Sequence, residues 1–305
     1  MPNETLQTPL SGFLNLLKPP GVSSARAVAI VRGCAGGVKV GHAGTLDPEA
    51  AGVLPLMIGK AARLFDDLQN DQKAYVAEIA FGAATDTQDA QGVVVQTGGR
   101  APAEGELRSL FPTLVGELRQ MPPMYSALKR GGRPLYALAR EGKTVERETR
   151  GMTLFALELM RMTPRNGALI SLRCSKGFYV RTLCHDIGER IGCPAHMRFL
   201  LRTQTGPFTL EQAHTLEEIR AAAAQGMLSS LLIPAEAALS HLPFSEVPAR
   251  LYKPFQNGVP LPLDAFPAFA GKPPGSRVQL RVDGETKAVS AIADGVLKPA
   301  TWLGD

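Results

Sequence analysis

The chain has 305 residues, 45% of them hydrophobic and 20% charged, with a formal net charge of +5. That profile suits a soluble globular protein with a sizeable core and room for a second, smaller unit. The sequence argues against a helical membrane span (no run of 18 apolar residues), a secretory signal (no basic start before an apolar stretch) and a disulfide framework (four cysteines, no CxxC pair), so a cytoplasmic location is expected.

In chain order, residues 13–17 predict a short strand that stops at the turn cluster Lys18-Pro19-Pro20-Gly21. Ser23 is placed to cap a helix that runs to Arg32. A glycine-rich loop spans 33–44. In the next stretch, VGHAGTLDPEAAGVLPLMIGKA, Asp47 precedes Pro48 and Glu49 as a cap residue precedes a first-turn proline. The expectation is a helix from there to Ile58, ended by Gly59. Residues 75–81 alternate and predict a strand. Residues 106–118 read as an amphipathic helix and 133–140 as a short one. Residues 153–163 and 167–174 read as paired strands. Residues 179–191 read as a helix with Gly192 just past its end. Strands and helices mix without a regular βαβ repeat, so the class is α+β with a mixed, largely antiparallel sheet. Composition shifts near residue 242, where Pro and Gly become frequent. Residues 277–282 and 288–292 flank the turn signal Asp283-Gly284. The expected division is a first domain of 1–242 and a small β-rich domain of 243–305.

The chemistry-bearing residues narrow the function. Asp47 reads as an N-cap, and a cap is compatible with a reactive carboxylate, because a helix N-terminus favours the anion. Gly41 and Gly44 on its N-terminal side permit close ligand approach. A phosphate loop is excluded: Gly59-Lys60 is followed by Ala61, so the hydroxyl that would serve magnesium is missing. Cys193 and His196 form one C-x-x-H pair without a second, and Cys184-His185 has no matching spacing, so no metal is expected. No G-x-S-x-G elbow supports a serine nucleophile. In CSKGFYVRTLCHDIGERIG, Lys176 and Arg181 bracket Phe178 and Tyr179, a cation–aromatic mixture that suits stacked bases and phosphates, or else a strand-to-helix junction with tyrosine as core filler.

Positive charge is unevenly distributed. Residues 121–160 hold seven Lys/Arg against four Asp/Glu, and 161–202 hold eight against two, whereas 61–120 hold five against nine. A localised basic face is what a polyanion binder needs. The tail from 242 carries seven basic and six acidic residues, so charge alone does not assign it to RNA.

Together the segments LNLLKPPGVSSARAV, GHAGTLDPEAAGVLPL, KAYVAEIAFGAATDTQDAQG, MPPMYSALKRGGRPLYALAREG, CSKGFYVRTLCHDIGERIG and RTQTGPF resemble the TruB family of tRNA pseudouridine synthases. The resemblance runs from about residue 13 to 208. The tail resembles, less closely, the PUA-like RNA-binding domain found behind such catalytic domains. The resemblance implies a cytoplasmic isomerase of tRNA processing that converts uridine 55 of the T-loop to pseudouridine by flipping the base, without cofactor or metal. Its partner would be the T-arm of tRNA, and a monomer is expected. Asp47 falls on the family's essential aspartate. Ala43 departs from the family's usual GHTG at a position the reaction does not need. Arg181 matches the arginine that pairs with the aspartate, and an opposite charge favours its ionised form. Tyr75 matches the tyrosine that stacks on the extruded uracil and is the candidate acceptor of the C5 proton. His42 matches the histidine that helps hold the T-loop open. Tyr179 and Leu200 match residues lining the uracil pocket, with Leu201 the alternative if the register slips by one. Lys18 and Pro19 match a motif that supports the active-site loop, and Lys176 is a further supporting residue. The rival reading is a tRNA-binding or folding module without catalysis, which has no need of Asp47, Arg181 and Tyr75 together. A pseudouridine synthase acting on ribosomal RNA would share the chemistry but not the ordered motifs.

Overall fold

The structure is a computed structural model that describes residues 10–68, 72–126, 128–130, 132–143 and 145–304. β1 (Gly12–Lys18) leads into α1 (Ser24–Cys34), whose cap Ser23 accepts a hydrogen bond from the Arg26 amide. β2 (Val40–His42), β3 (Ala51–Ile58) and the one-turn helix α2 (Phe65–Leu68) follow, then β4 (Lys73–Phe81) and a small hairpin of β5 (Ala83–Thr85) and β6 (Val94–Thr97). Next come α3 (Glu104–Leu110), β7 (Gly116–Gln120), a ribbon of β8 (Lys129–Arg130) and β9 (Arg133–Pro134), and α4 (Leu135–Arg140). β10 (Arg150–Thr163) and β11 (Gly167–Cys174) form a long hairpin, followed by α5 (Val180–Ile191), β12 (Ala195–Thr205), β13 (Phe208–Thr209) and α6 (Leu216–Ala224).

The main sheet has the order β1-β3-β12-β4-β11-β10-β7, with β2 on β3 and β13 on β12. Every pairing is antiparallel except β3 with β12, which match Ala51 to Leu201 and Gly52 to Arg202. One face buries Leu14, Leu16, Leu54, Leu56, Ile79, Ile170 and Leu172 against Leu183 and Ile187 of α5. The mixed α+β class with a largely antiparallel sheet is thus as expected.

A second sheet holds β14 (Phe244–Glu246), β15 (Leu261–Pro262), β16 (Arg277–Val282), β17 (Glu285–Ala293) and β18 (Val296–Trp302), in the order β14-β16-β17-β18-β15. It has its own core of Phe255, Phe266, Phe269, Val278, Leu280 and Leu297. Asp283 and Gly284 turn β16 into β17 with φ of 54° and 81°, the paired positive angles of the hairpin turn that Asp-Gly favours. The two sheets are joined by a smaller apolar cluster in which Val289 packs with Phe13, Leu64, Leu68 and Leu239.

Three expectations are corrected. Residues 47–58 are not a helix: 51–58 is strand β3, buried from Gly52 onward. A strand covered on both faces shows a continuous apolar run, which period alone does not separate from a buried helix. Residues 47–50 form a turn in which the Ala50 amide donates to the Asp47 carbonyl at 3.1 Å, with Pro48 at its second position. The predicted helix 106–118 ends at Leu110; a 3-10 turn over Phe111–Leu114 and strand β7 take its place. Pro112 lacks the amide that a continuing α-helix requires. The glycine-rich loop contains a short strand, β2.

Candidate active site

A cavity of about 610 Å³ opens where the 43–47 loop, α2, β4, β12 and the start of α5 meet, within the usual range for small-ligand sites. Its walls include Asp47, Phe65, Leu68, Lys73, Tyr75, Arg150, Lys176, Tyr179, Arg181, Leu200 and Arg202.

The Asp47 loop is pinned from both sides. From below, Lys18 is buried at the end of β1, and its Nζ donates to the carbonyls of Pro19 (2.8 Å), Val22 (2.7 Å) and Pro48 (2.9 Å). Burial lowers the Lys18 pKa to about 8, against the pull of Glu49 and Asp47. Ser24 Oγ donates to the Leu46 carbonyl at 2.9 Å and accepts from the Leu46 amide at 3.0 Å. From the sheet, Arg202 is buried and donates to the carbonyls of Val53 (2.7 Å), Gly44 (3.0 Å) and Thr45 (3.4 Å). Close approach of β3 and β12 makes this possible. A Cβ on Gly52 would stand 2.2 Å from the Arg202 carbonyl oxygen, and Gly52 has a φ of +113°.

Arg181 sits in the first turn of α5 with its side chain 6% exposed. Its guanidinium lies 3.2 Å from Asp47 Oδ2 and 3.3 Å from Asp89 Oδ2, and donates to the Tyr125 carbonyl at 2.9 Å. A cation is disfavoured at a helix N-terminus; here two carboxylates compensate it. Asp89 is itself oriented, since its Oδ1 accepts from Thr87 Oγ1 (2.7 Å) and the Gln91 amide (3.0 Å). Desolvation pushes the Asp47 carboxyl above its ordinary value, and Arg181 is the strongest influence in the other direction. The Asp47 side chain stays 40% exposed, so its carboxylate is reachable from the cavity.

Tyr75 is buried in β4 beside the Arg202 guanidinium. Burial dominates and pushes the phenol to about 12 even beside that guanidinium. Tyr179 caps α5, where Gln120 at the end of β7 both donates to its carbonyl (3.1 Å) and accepts from its amide (2.9 Å). Leu200, not Leu201, lines the cavity.

The structure therefore brings Asp47, Tyr75, Arg181, Tyr179, Leu200 and Lys176 to one cavity. Lys18 and Pro19 stand behind the Asp47 loop rather than on the cavity wall. His42 lies in β2, paired with Leu56, and is not on that wall; its Nδ1 is buried without a hydrogen-bond partner among the described residues, and burial lowers its pKa. Asp89 and Arg202 escaped the sequence reading. Arg202 is two residues beyond Leu200 on one strand, and the two-residue period of strands would have put both on one face. Nothing local marks Asp89 over Asp86. Among the described residues no group of three or more His, Cys, Asp or Glu is arranged to hold a metal, and no helix is long and apolar enough to cross a membrane.

Residues 32–180 match the family model described as TruB family pseudouridylate synthase (N terminal domain), and 181–240 match tRNA pseudouridylate synthase B C-terminal domain. The chain is 47% identical over 264 residues to a tRNA pseudouridine synthase B of Geobacillus thermodenitrificans, covering 84% of this chain and 87% of that protein. It is 42% identical over 291 residues to one of Burkholderia mallei, covering 95% and 96%. Its fold is similar to that of a chain in a crystal structure of a Cbf5-Nop10-Gar1 complex, with a TM-score of 0.74 and 25% identity over 96% of this chain and 84% of that one.

Proposed function

The chain belongs to the TruB family and is a tRNA pseudouridine synthase, and on that premise we propose that its target is uridine 55 in the T-arm and that Asp47 is the group that engages the sugar. The observation that carries the residue assignment is the meeting of Asp47, Arg181 and Tyr75 in one cavity. A pure binding module has no use for a guanidinium-paired carboxylate facing a buried phenol.

The reaction breaks the N1–C1′ bond of uridine, turns the uracil and forms a C5–C1′ bond; C5 loses its proton and N1 gains one. No oxidant, reductant or second substrate enters. An ionised carboxylate either attacks C1′ or stabilises positive charge on the sugar. Both routes need Asp47 deprotonated, which desolvation opposes and Arg181 favours. The target base must first leave its stack, at a cost of a few kcal/mol. Stacking on Tyr75 offsets about 1–3 kcal/mol of this. Since the Tyr75 phenol titrates at about 12, forming its phenolate at neutral pH would cost roughly 7 kcal/mol, so the ring is assigned to stacking. Tyr179 and Leu200 flank the uracil. Exposed Arg150 and Lys176 at the cavity rim and Arg173 on β11 offer charge to the RNA backbone. Residues 243–305 are read as a PUA-like RNA-binding domain, supported by their separate sheet and core.

Because C5 loses its hydrogen, release of tritium from T-arm RNA carrying 5-tritiated uridine follows the reaction. Wild-type protein should release it, and Asp47→Asn should bind the RNA with unchanged affinity while releasing none. Binding without release by wild-type protein would favour the binding module. Loss of binding in Asp47→Asn would reduce Asp47 to a loop-shaping residue.

A further inference from the structure

We propose that Asp67 and Arg277 are positioning residues: their ion pair fixes the Phe65–Leu68 wall of the cavity, so the C-terminal sheet contributes to the rate of the chemical step and not only to RNA binding. The inference rests on the function proposed above and concerns a contact between the two sheets.

The segment from Gly59 to Leu68 has two faces. Phe65 and Leu68 of α2 form part of the cavity wall. The other face is held by the C-terminal sheet. Arg277 at the start of β16 places Nε 2.8 Å and Nη2 2.6 Å from Asp67 Oδ1. Lys60 donates to the Gly304 carbonyl at 3.0 Å, and Arg63 donates to the Trp302 carbonyl at 2.8 Å. Val289 of β17 packs in the apolar cluster with Ala61 and Leu64, a cluster that also reaches Leu68. α2 is one turn long, too short to persist on its own hydrogen bonds. Its geometry is therefore set by what it packs against.

The asymmetry of the ion pair is informative. The Asp67 side chain is 1% exposed, and that of Arg277 35%. Both guanidinium nitrogens converge on Oδ1, while Oδ2 is buried without a hydrogen-bond partner among the described residues. A surface helix could keep an aspartate in water at no cost. Burying one beside the cavity, with its bidentate partner supplied by the other sheet, ties the position of α2 to the presence of Arg277. Asp67 lies between Phe65 and Leu68 in the chain, so a shift of its backbone moves both wall residues. Misplacing a cavity wall by about 1 Å is enough to cost up to a hundredfold in rate.

The test compares single-turnover tritium release at saturating T-arm RNA for full-length wild type, Arg277→Gln, Asp67→Asn, the double variant, and Lys298→Gln on the surface of β18 as control. Each single change should slow release about three- to tenfold while leaving the RNA dissociation constant within about twofold. The double variant should be no slower than the worse single, since both remove one interaction. Arg277→Lys, which keeps a charged donor, should recover most of the rate. Should Arg277→Gln melt below the assay temperature, the isosteric Asp67→Asn carries the same comparison. Rates equal to wild type at saturating RNA, or a loss confined to affinity, overturn the inference alone. Absence of release from wild-type protein overturns the proposed function, and this inference with it.

Discussion

Replacing Arg181 by methionine removes the counter-charge of two carboxylates at once. The guanidinium stands 3.2 Å from Asp47 and 3.3 Å from Asp89. At about 4 Å between charge centres and an effective dielectric near 20, each attraction is of order 4 kcal/mol. An adjacent arginine typically holds an aspartate down by roughly one to three pH units. Asp47 is 40% exposed, and water screens part of the attraction. Asp47 is already raised by desolvation; losing Arg181 raises it further. In the role proposed for Asp47 the ionised form is needed, so the acid limb of the rate moves to higher pH. The assay is tritium release under single-turnover conditions from pH 5 to pH 8.5, for wild type, Arg181→Met and Arg181→Lys. Methionine should move the limb up, and lysine should move it less. A uniform loss of rate with an unmoved limb would refute the electrostatic role and leave Arg181 as a geometric prop through Tyr125 and Asp89.

Two more predictions concern the support of the Asp47 loop. Lys18 titrates near 8 in the fold and 10.5 otherwise; between these values the unfolded chain holds more protons, so native stability rises with pH. Relative to Lys18→Met, wild type should gain about 3 kcal/mol across that interval, read by urea unfolding at pH 7.5 and 10.5, and a constant difference would contradict the depressed value. Gly52→Ala should fail to fold or lose more than about 3 kcal/mol, because the new methyl carbon would stand 2.2 Å from the Arg202 carbonyl oxygen; a soluble variant with a wild-type melting temperature would show that β3 and β12 can separate.

Local patterns were enough for several elements. Ser23 marks a helix start, Gly192 marks a helix end with φ of 74°, and Asp283-Gly284 marks a hairpin, because capping and turn chemistry act within a few residues. The ordered motifs identified the family and pointed to Asp47, Arg181 and Tyr75, which the fold brings to one cavity. Local pattern misread 47–58: an apolar run covered by neighbours on every side carries no period to read. Leu200 was separated from Leu201 by the pairing of β12 with β4, which decides the face each presents.

What the sequence by itself determined is the residue types the chemistry needs, the order of the motifs that hold them, and the turns and caps between elements. Only the tertiary structure decided that Arg181 bridges Asp47 and Asp89, that Arg202 joins the Asp47 loop to β3, and that Asp67 answers to Arg277 across 210 residues. The physical reason is range. Capping and turn preferences are set by a residue's neighbours in the chain, whereas a buried charge takes its partner from whatever the folded sheets bring within hydrogen-bond reach.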